Sequence, residues 1–302
     1  MAFTYLSKIL KKAFRNLFFL MFLNGFLLAS IFYFRMETSY ENGLFLSIKA
    51  NIDSKVDSND TQDSIVIKAM TAVNYLMVNR ADMFSNIKSL GLEADLLHPT
   101  SVDLMTTRGA CGSYSTVLAR VLQTYHYPLR IAQMKANGHF GAHNLVEVKT
   151  NTGWVVLDPT FNLYFTRPDT HLASFADVQK DWNFYSRQTP RDYDQNYRYE
   201  DVRYSDWDKV PVLFPAIKSI LTFFWGAEKV RTFSFRTYFL KIYEVYFYIS
   251  LLIYIPIFLL TVRRFVKTQL FPDQNIPLTF RNLIKYLKPH LSNSSLKRMQ
   301  SF

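Results

Sequence analysis

The sequence predicts an α+β domain set between two membrane-spanning helices, and three observations carry that prediction. Two charge-free apolar runs, Asn16–Phe34 and Val245–Val262, are each long enough to cross a hydrocarbon core as a helix. Between them, apolar residues recur first at helical spacing and then in short strand-like runs. The excess positive charge lies outside both runs. Residues 1–15 carry four basic side chains and no acid, residues 263–302 carry eight against Asp273, and residues 36–240 are balanced at 21 basic to 22 acidic.

That distribution decides how the net charge of +11 is read. A domain that neutralises phosphates along a groove carries its charge within the folded part, so nucleic acid is not expected as a partner. With 49% hydrophobic residues and only 9 Gly and 11 Pro, the chain is neither disordered nor of low complexity.

Taken in order, residues 1–15 form a basic N-terminus and residues 16–34 the first span. A cleaved signal peptide is the competing reading, but this apolar run exceeds a signal core and no A-x-A site follows. Residues 245–262 form the second span, in which Pro256 predicts a kink rather than a break. Lysine and arginine cluster before the first span and after the second (Arg263, Arg264, Lys267), which places both termini in the cytoplasm and the intervening domain outside. Arg35, Arg236 and Lys241, on the outer flanks, run against that signal. Two uncleaved anchors fit a bacterial inner membrane best, with the domain periplasmic or extracellular. Residues 209–244 read as a membrane-proximal segment: Val210–Ala227 is apolar but contains Lys218 and two prolines, so it is expected along the outer interface, where it meets membrane lipid. Tyr238, Tyr243, Tyr246 and Tyr248 fit an aromatic belt. In the basic tail, residues 263–302, Phe280, Leu283, Ile284 and Leu287 recur beside Arg281, Lys285 and Lys288 as in a basic amphipathic helix.

The outer domain, residues 36–208, begins with a predicted helix over Ser64–Met83 capped by Asp63, and a second over Gly112–Tyr125. Strands follow at Leu129–Gln133, Asn144–Lys149 and Trp154–Leu157, with Asn151 and Gly153 supplying turn chemistry between the last two. Asp181–Asp208 interleaves aromatic and charged residues and is expected to pack its rings on the domain or the membrane face, so no site is assigned to it.

Cys111 is the only cysteine, so no intramolecular disulfide forms. It stands where the loop Arg108-Gly109-Ala110 enters a predicted helix, and backbone N–H groups at a helix N-terminus lower a thiol pKa. A thiolate nucleophile needs a base and a group to orient the base. His143 and Asp158 lie on the two arms of the predicted hairpin. Pairing 149 with 152, or 148 with 153, sets them directly opposite on one face. A register shifted by one would part them. His139, four residues earlier, is the alternative base.

Three blocks then carry a resemblance. Gly109-Ala110-Cys111-Gly112 precedes a helix and Tyr127-Pro128-Leu129-Arg130; His143-Asn144-Leu145-Val146-Glu147-Val148 forms a strand; Trp154-Val155-Val156-Leu157-Asp158-Pro159-Thr160 follows. In order and spacing, Arg108–Phe161 resembles the transglutaminase-like cysteine enzymes of the papain-related superfamily. The resemblance implies a helix bearing Cys111 packed on an antiparallel sheet, with Cys111 as nucleophile, His143 as base and then acid, and Asp158 as the orienting carboxylate. It implies acyl transfer, by hydrolysis or transamidation, on an envelope peptide or protein, with no metal or organic cofactor. Leu145 stands where the family carries an aromatic residue, so the cleft wall is expected to differ. The Cys111 N–H is one expected oxyanion donor, and the second is unassigned. The alternative function is a non-catalytic scaffold of the same fold in an envelope assembly such as polysaccharide synthesis or export.

Overall fold

The computed structural model describes residues 16–84, 86 and 89–270, with residues 5, 13 and 14. Most of the predicted basic N-terminus and the tail helix around Phe280–Leu287 lie outside the described residues. The chain divides into two compact units, one holding the apolar helical stretches up to Phe34 and from Phe247, the other Arg35–Tyr246.

Among the described residues two helices are long and apolar enough to cross a membrane: α1 (Leu17–Asp53) and α12 (Ile242–Phe265). Pro256 lies inside α12 without ending it. In the first unit the Asn24 amide donates to Thr261 Oγ1 at 2.6 Å, a polar tie between the two apolar helices.

The first helix does not stop at Phe34. It runs 19 residues further, through the stretch assigned above to the outer domain, because Phe45 and Ile52 repeat at helical spacing and bury one face, with Leu44 and Ile48 beside them. The next helix, expected over Ser64–Met83, is two: α2 (Gln62–Met77) and the short α3 (Arg80–Phe84). Thr107 Oγ1 takes the Met77 carbonyl and the Arg80 guanidinium takes that of Leu104, so tertiary bonds break the helix where its periodicity would continue. Thr61, rather than Asp63, caps α2.

Short helices α4 (Leu92–Leu97) and α5 (Thr100–Thr106) lead to α6 (Cys111–Thr124). The sheet follows as β1 (Leu129–Ala136), β2 (His139–Thr150), β3 (Gly153–Asp158) and β4 (Leu163–Tyr164); then come α7 (Phe175–Lys180), α8 (Trp182–Tyr185) and β5 (Val202–Arg203). The five strands lie in the order β4-β3-β2-β1-β5, every pairing antiparallel. The domain is therefore α+β, with strands longer than the apolar runs alone mark.

Strand alternation gives the sheet two apolar faces. Ile131, Val146, Val148, Val155 and Leu157 pack with α1, α2 and α6 in one core. Ala132, Met134, Leu145 and Val156 pack on the other side against Phe165, Phe175, Tyr193, Tyr199 and Tyr204. The aromatic stretch after Asp181 is thus a second core layer. Within it the Arg130 guanidinium lies between the Trp154 and Tyr204 rings, 4.3 and 4.1 Å from their centroids, and pairs with buried Glu147 at 2.9 Å.

The segment 209–244 belongs to the same compact unit as the sheet. Ser205 bonds the Phe233 carbonyl, Thr100 bonds that of Leu240, and Leu240 is buried in the helical core. The segment forms α9 (Leu213–Trp225), α10 (Ala227–Arg231) and α11 (Arg236–Phe239). Helices α9 and α11 bury no residue, and in α9 Phe223 and Phe224 are 84% and 72% exposed.

Candidate active site

Cys111 opens α6, and the loop before it is tightly held. Ser113 Oγ donates to buried Asp103 at 2.6 Å and accepts the Gly109 N–H at 2.9 Å. A Cβ at position 109 would stand 2.7 Å from that hydroxyl, so close approach requires glycine there. Ala110, immediately before the cysteine, has φ 46° and ψ −124°, a conformation that costs an L side chain about 1–3 kcal/mol. The thiol itself is half-buried.

His143 sits in β2 beside an irregularity. Met134 pairs with His143 but Lys135 pairs with Phe140, so Gly141 and Ala142 bulge out of the ladder, with Gly141 at φ +87°. Such a bulge re-aims the side chain that follows it. Asp158 ends β3. The observed register pairs Thr150 with Gly153 and Val146 with Leu157. Continued one step, it places Asp158 across from Leu145 rather than His143, two residues from the expected pairing. A shift of two keeps both side chains on one face, so they meet diagonally. His143 Nε2 lies 2.7 Å from Asp158 Oδ2, with the side chains 1% and 0% exposed.

Asp158 is held in turn: its Oδ1 accepts the Thr160 N–H at 3.1 Å, and Tyr193 Oη approaches Oδ2 at 3.4 Å. Tyr197 stacks on the imidazole, centroids 4.4 Å apart and planes 13° from parallel. Nε2 is committed to Asp158, and the imidazole and the Cys111 sulfur stabilise each other's charged forms. Burial works hardest against a charged imidazole, yet the Asp158 carboxylate and then the sulfur outweigh it and raise His143 to about 9. Burial likewise opposes the thiolate, but His143 and Asn144 overcome it and lower the Cys111 pKa. The arrangement favours a thiolate–imidazolium pair, which titrates as a unit.

Cys111, His143 and Asp158 are therefore adjacent. His139 is exposed at the start of β2, across from Ala136, with no contact to Cys111 among the described residues. Leu145 is not a cleft wall: its side chain is fully buried in the aromatic core. Several neighbours of the site escaped the sequence reading. Asn144 Nδ2 lies 3.7 Å from Cys111 Sγ, and Arg236 Nη1 donates to Asn144 Oδ1 at 3.1 Å. Adjacency to His143 is a signal for Asn144; Arg236, 92 residues away, leaves none. His98 lies 3.4 Å from Asp103, which holds its pKa up. Among the described residues no group of three or more His, Cys, Asp or Glu side chains converges as metal ligands would.

No protein family, curated protein or solved structure matches this chain. What the site does is read from its own geometry.

Proposed function

We propose that this protein is a membrane-anchored thiol enzyme of transglutaminase-like fold that transfers acyl groups from a peptide or protein in the cell envelope. One observation carries the reading: a buried His143–Asp158 pair at 2.7 Å interacts with the sole thiol, each stabilising the other's charged form, and that thiol stands at a helix N-terminus. A helix led by the nucleophile, followed by an antiparallel hairpin bearing base and carboxylate, is the order that the family resemblance implies.

In this reading the Cys111 thiolate attacks an amide or ester carbonyl, and its electron pair forms the S–C bond while the C=O π pair moves onto oxygen. Collapse of the oxyanion expels the leaving group, which takes a proton from the His143 imidazolium. The neutral imidazole then accepts a proton from water or an amine as that nucleophile attacks the thioester, and the acyl product leaves with the thiolate restored. Asp158 stabilises the imidazolium throughout.

The proposed setting is a bacterial inner membrane, with α1 and α12 as spans, both termini cytoplasmic and the catalytic unit periplasmic or extracellular. Helix α9, apolar apart from Lys218, Ser219 and Thr222 and burying no residue, supports contact with the lipid interface.

The test is alkylation of the full-length protein by iodoacetamide as a function of pH. An activated thiol reacts well below about pH 8.5 and loses that reactivity in His143→Ala. Reaction only near the free-thiol pKa, indifferent to the histidine, overturns the proposal and leaves the non-catalytic scaffold.

A further inference from the structure

We infer that the side-chain amide of Asn144, oriented by Arg236, is the second donor to the oxyanion formed on a carbonyl attacked by Cys111. The inference rests on the thiol-enzyme reading above and extends it to a residue and a role that reading does not contain.

The orientation of the amide follows from chemistry. A guanidinium only donates, so the Asn144 atom 3.1 Å from Arg236 Nη1 is the carbonyl oxygen, and the NH2 group must be the end that faces the sulfur at 3.7 Å. Asn144 itself is held in place. It is 8% exposed, its backbone pairs with Gln133 in the sheet, and its main-chain carbonyl accepts the Ser115 hydroxyl of α6 at 2.7 Å. A Cβ on Gly112 would lie 3.6 Å from Nδ2, which puts the amide against the first turn of α6, beside the Cys111 backbone. No acceptor engages the Cys111 N–H among the described residues. The Cys111 N–H and the Asn144 side-chain amide therefore flank the sulfur, which the Asn144 main-chain N–H also stabilises.

Consecutive strand residues face opposite ways, so His143 and Asn144 reach the thiol from opposite faces of β2. One side handles the proton and the other the charge. A neutral amide suits the second task because it gives a hydrogen bond without giving up its proton. The sulfur–amide separation leaves room for an oxygen on the attacked carbon to sit about 2.7–3.1 Å from the donors, the distance an oxyanion requires. The Arg236 charge, which also interacts with Cys111, polarises the amide from behind. During attack the thiolate pair forms the S–C bond and the π pair becomes the oxyanion, accepted by the Cys111 and Asn144 N–H groups. On collapse the C=O reforms and the leaving group departs.

Two probes of Cys111 separate this role from mere support of the thiolate. Iodoacetamide alkylates sulfur without forming an oxyanion; p-nitrophenyl acetate acylates it through one, releasing p-nitrophenolate. Both are applied to the full-length protein, with Cys111→Ala as the blank. In Asn144→Ala, acylation is expected to fall about 10²–10³-fold. Alkylation in the same variant, which loses only one hydrogen bond to the thiolate, falls by less than about tenfold. Arg236→Ala, which leaves every backbone contact of Asn144 in place, loses about tenfold in acylation alone, and Arg236→Lys recovers part of it. Equal losses with both probes, or acylation unchanged in both variants, overturn the oxyanion role while leaving the thiol enzyme intact. A wild-type thiol that alkylates at low pH yet never acylates overturns the enzymatic reading and this inference with it.

Discussion

His143 Nε2 and Asp158 Oδ2 stand 2.7 Å apart although their residues are not cross-strand partners. The pair is diagonal, and diagonal Cβ atoms in an antiparallel sheet are about 7–8 Å or somewhat less apart. An imidazole spans that gap to a carboxylate. The bulge at Gly141–Ala142 and the stacked Tyr197 ring hold the imidazole in the rotamer that makes contact.

Replacing the carboxylate tests what that contact does. Asp158→Asn keeps the size of the side chain but removes the charge that stabilises the imidazolium. Acylation of Cys111 by p-nitrophenyl acetate is expected to fall by roughly 10²–10⁴. Its onset should also move to higher pH, because a neutral imidazole no longer supports the thiolate. An unchanged pH–rate profile in this variant would show that Asp158 only packs.

Protonation of His143 is itself measurable. Its folded pKa of about 9 lies above the ordinary value, so the charged imidazole stabilises the fold. That contribution is fully present below about pH 6.5 and is lost as pH rises through about 9. Cys111→Ala removes the sulfur's share of the shift but keeps that of Asp158. Heteronuclear NMR of histidine-labelled protein should therefore show a high-pH titration for one imidazole, moved to lower pH in Cys111→Ala. The absence of any histidine titrating above its ordinary range would contradict the ion pair.

The loop before Cys111 stores strain at Ala110. Ala110→Gly relieves about 1–3 kcal/mol of backbone strain, against about 0.5–1 kcal/mol of added chain entropy in the unfolded state. The expected balance is a gain of about 1 kcal/mol in unfolding free energy, read from the denaturation midpoint. A loss of stability would mean that the observed φ is comfortable for alanine.

Between the apolar helices, Asn24 and Thr261 form a hydrogen bond at 2.6 Å, while Asn24 Oδ1 is buried and has no hydrogen-bond partner among the described residues. Asn24→Leu removes a bond worth about 0.6–2 kcal/mol in a bilayer. The orphaned oxygen goes with it, and its removal offsets part of that cost. The helix pair should weaken by no more than about 1 kcal/mol in a steric-trapping measurement. A larger loss would assign the asparagine a structural role beyond this bond.

Much of this arrangement was legible in the residues. The lengths of the apolar runs mark both helices, since crossing a hydrocarbon core demands a fixed number of turns. Cys111 at the head of a helix, and a hairpin carrying His143 and Asp158, followed from local periodicity and turn residues. The exact pairing did not. The turn lies one residue further along, at Asn151-Thr152, and so moves the register by two, which parity forgives because side chains alternate with a period of two. The helix past Phe34 was hidden because its polar residues mask a narrow buried stripe, and the break after Met77 depends on bonds from Thr107 and Arg80 that no local pattern records.

By itself, then, the chain's order of residues determined the two apolar helices, the helix led by Cys111 and the hairpin whose one face bears His143 and Asp158, because these are set by short-range geometry. Only the tertiary structure decided that Asp158 reaches His143 on the diagonal, that Tyr197 covers the imidazole, and that Arg236 turns the Asn144 amide toward the sulfur. These contacts join positions far apart along the chain, and their geometry is fixed by packing of the whole domain rather than by any run of neighbours.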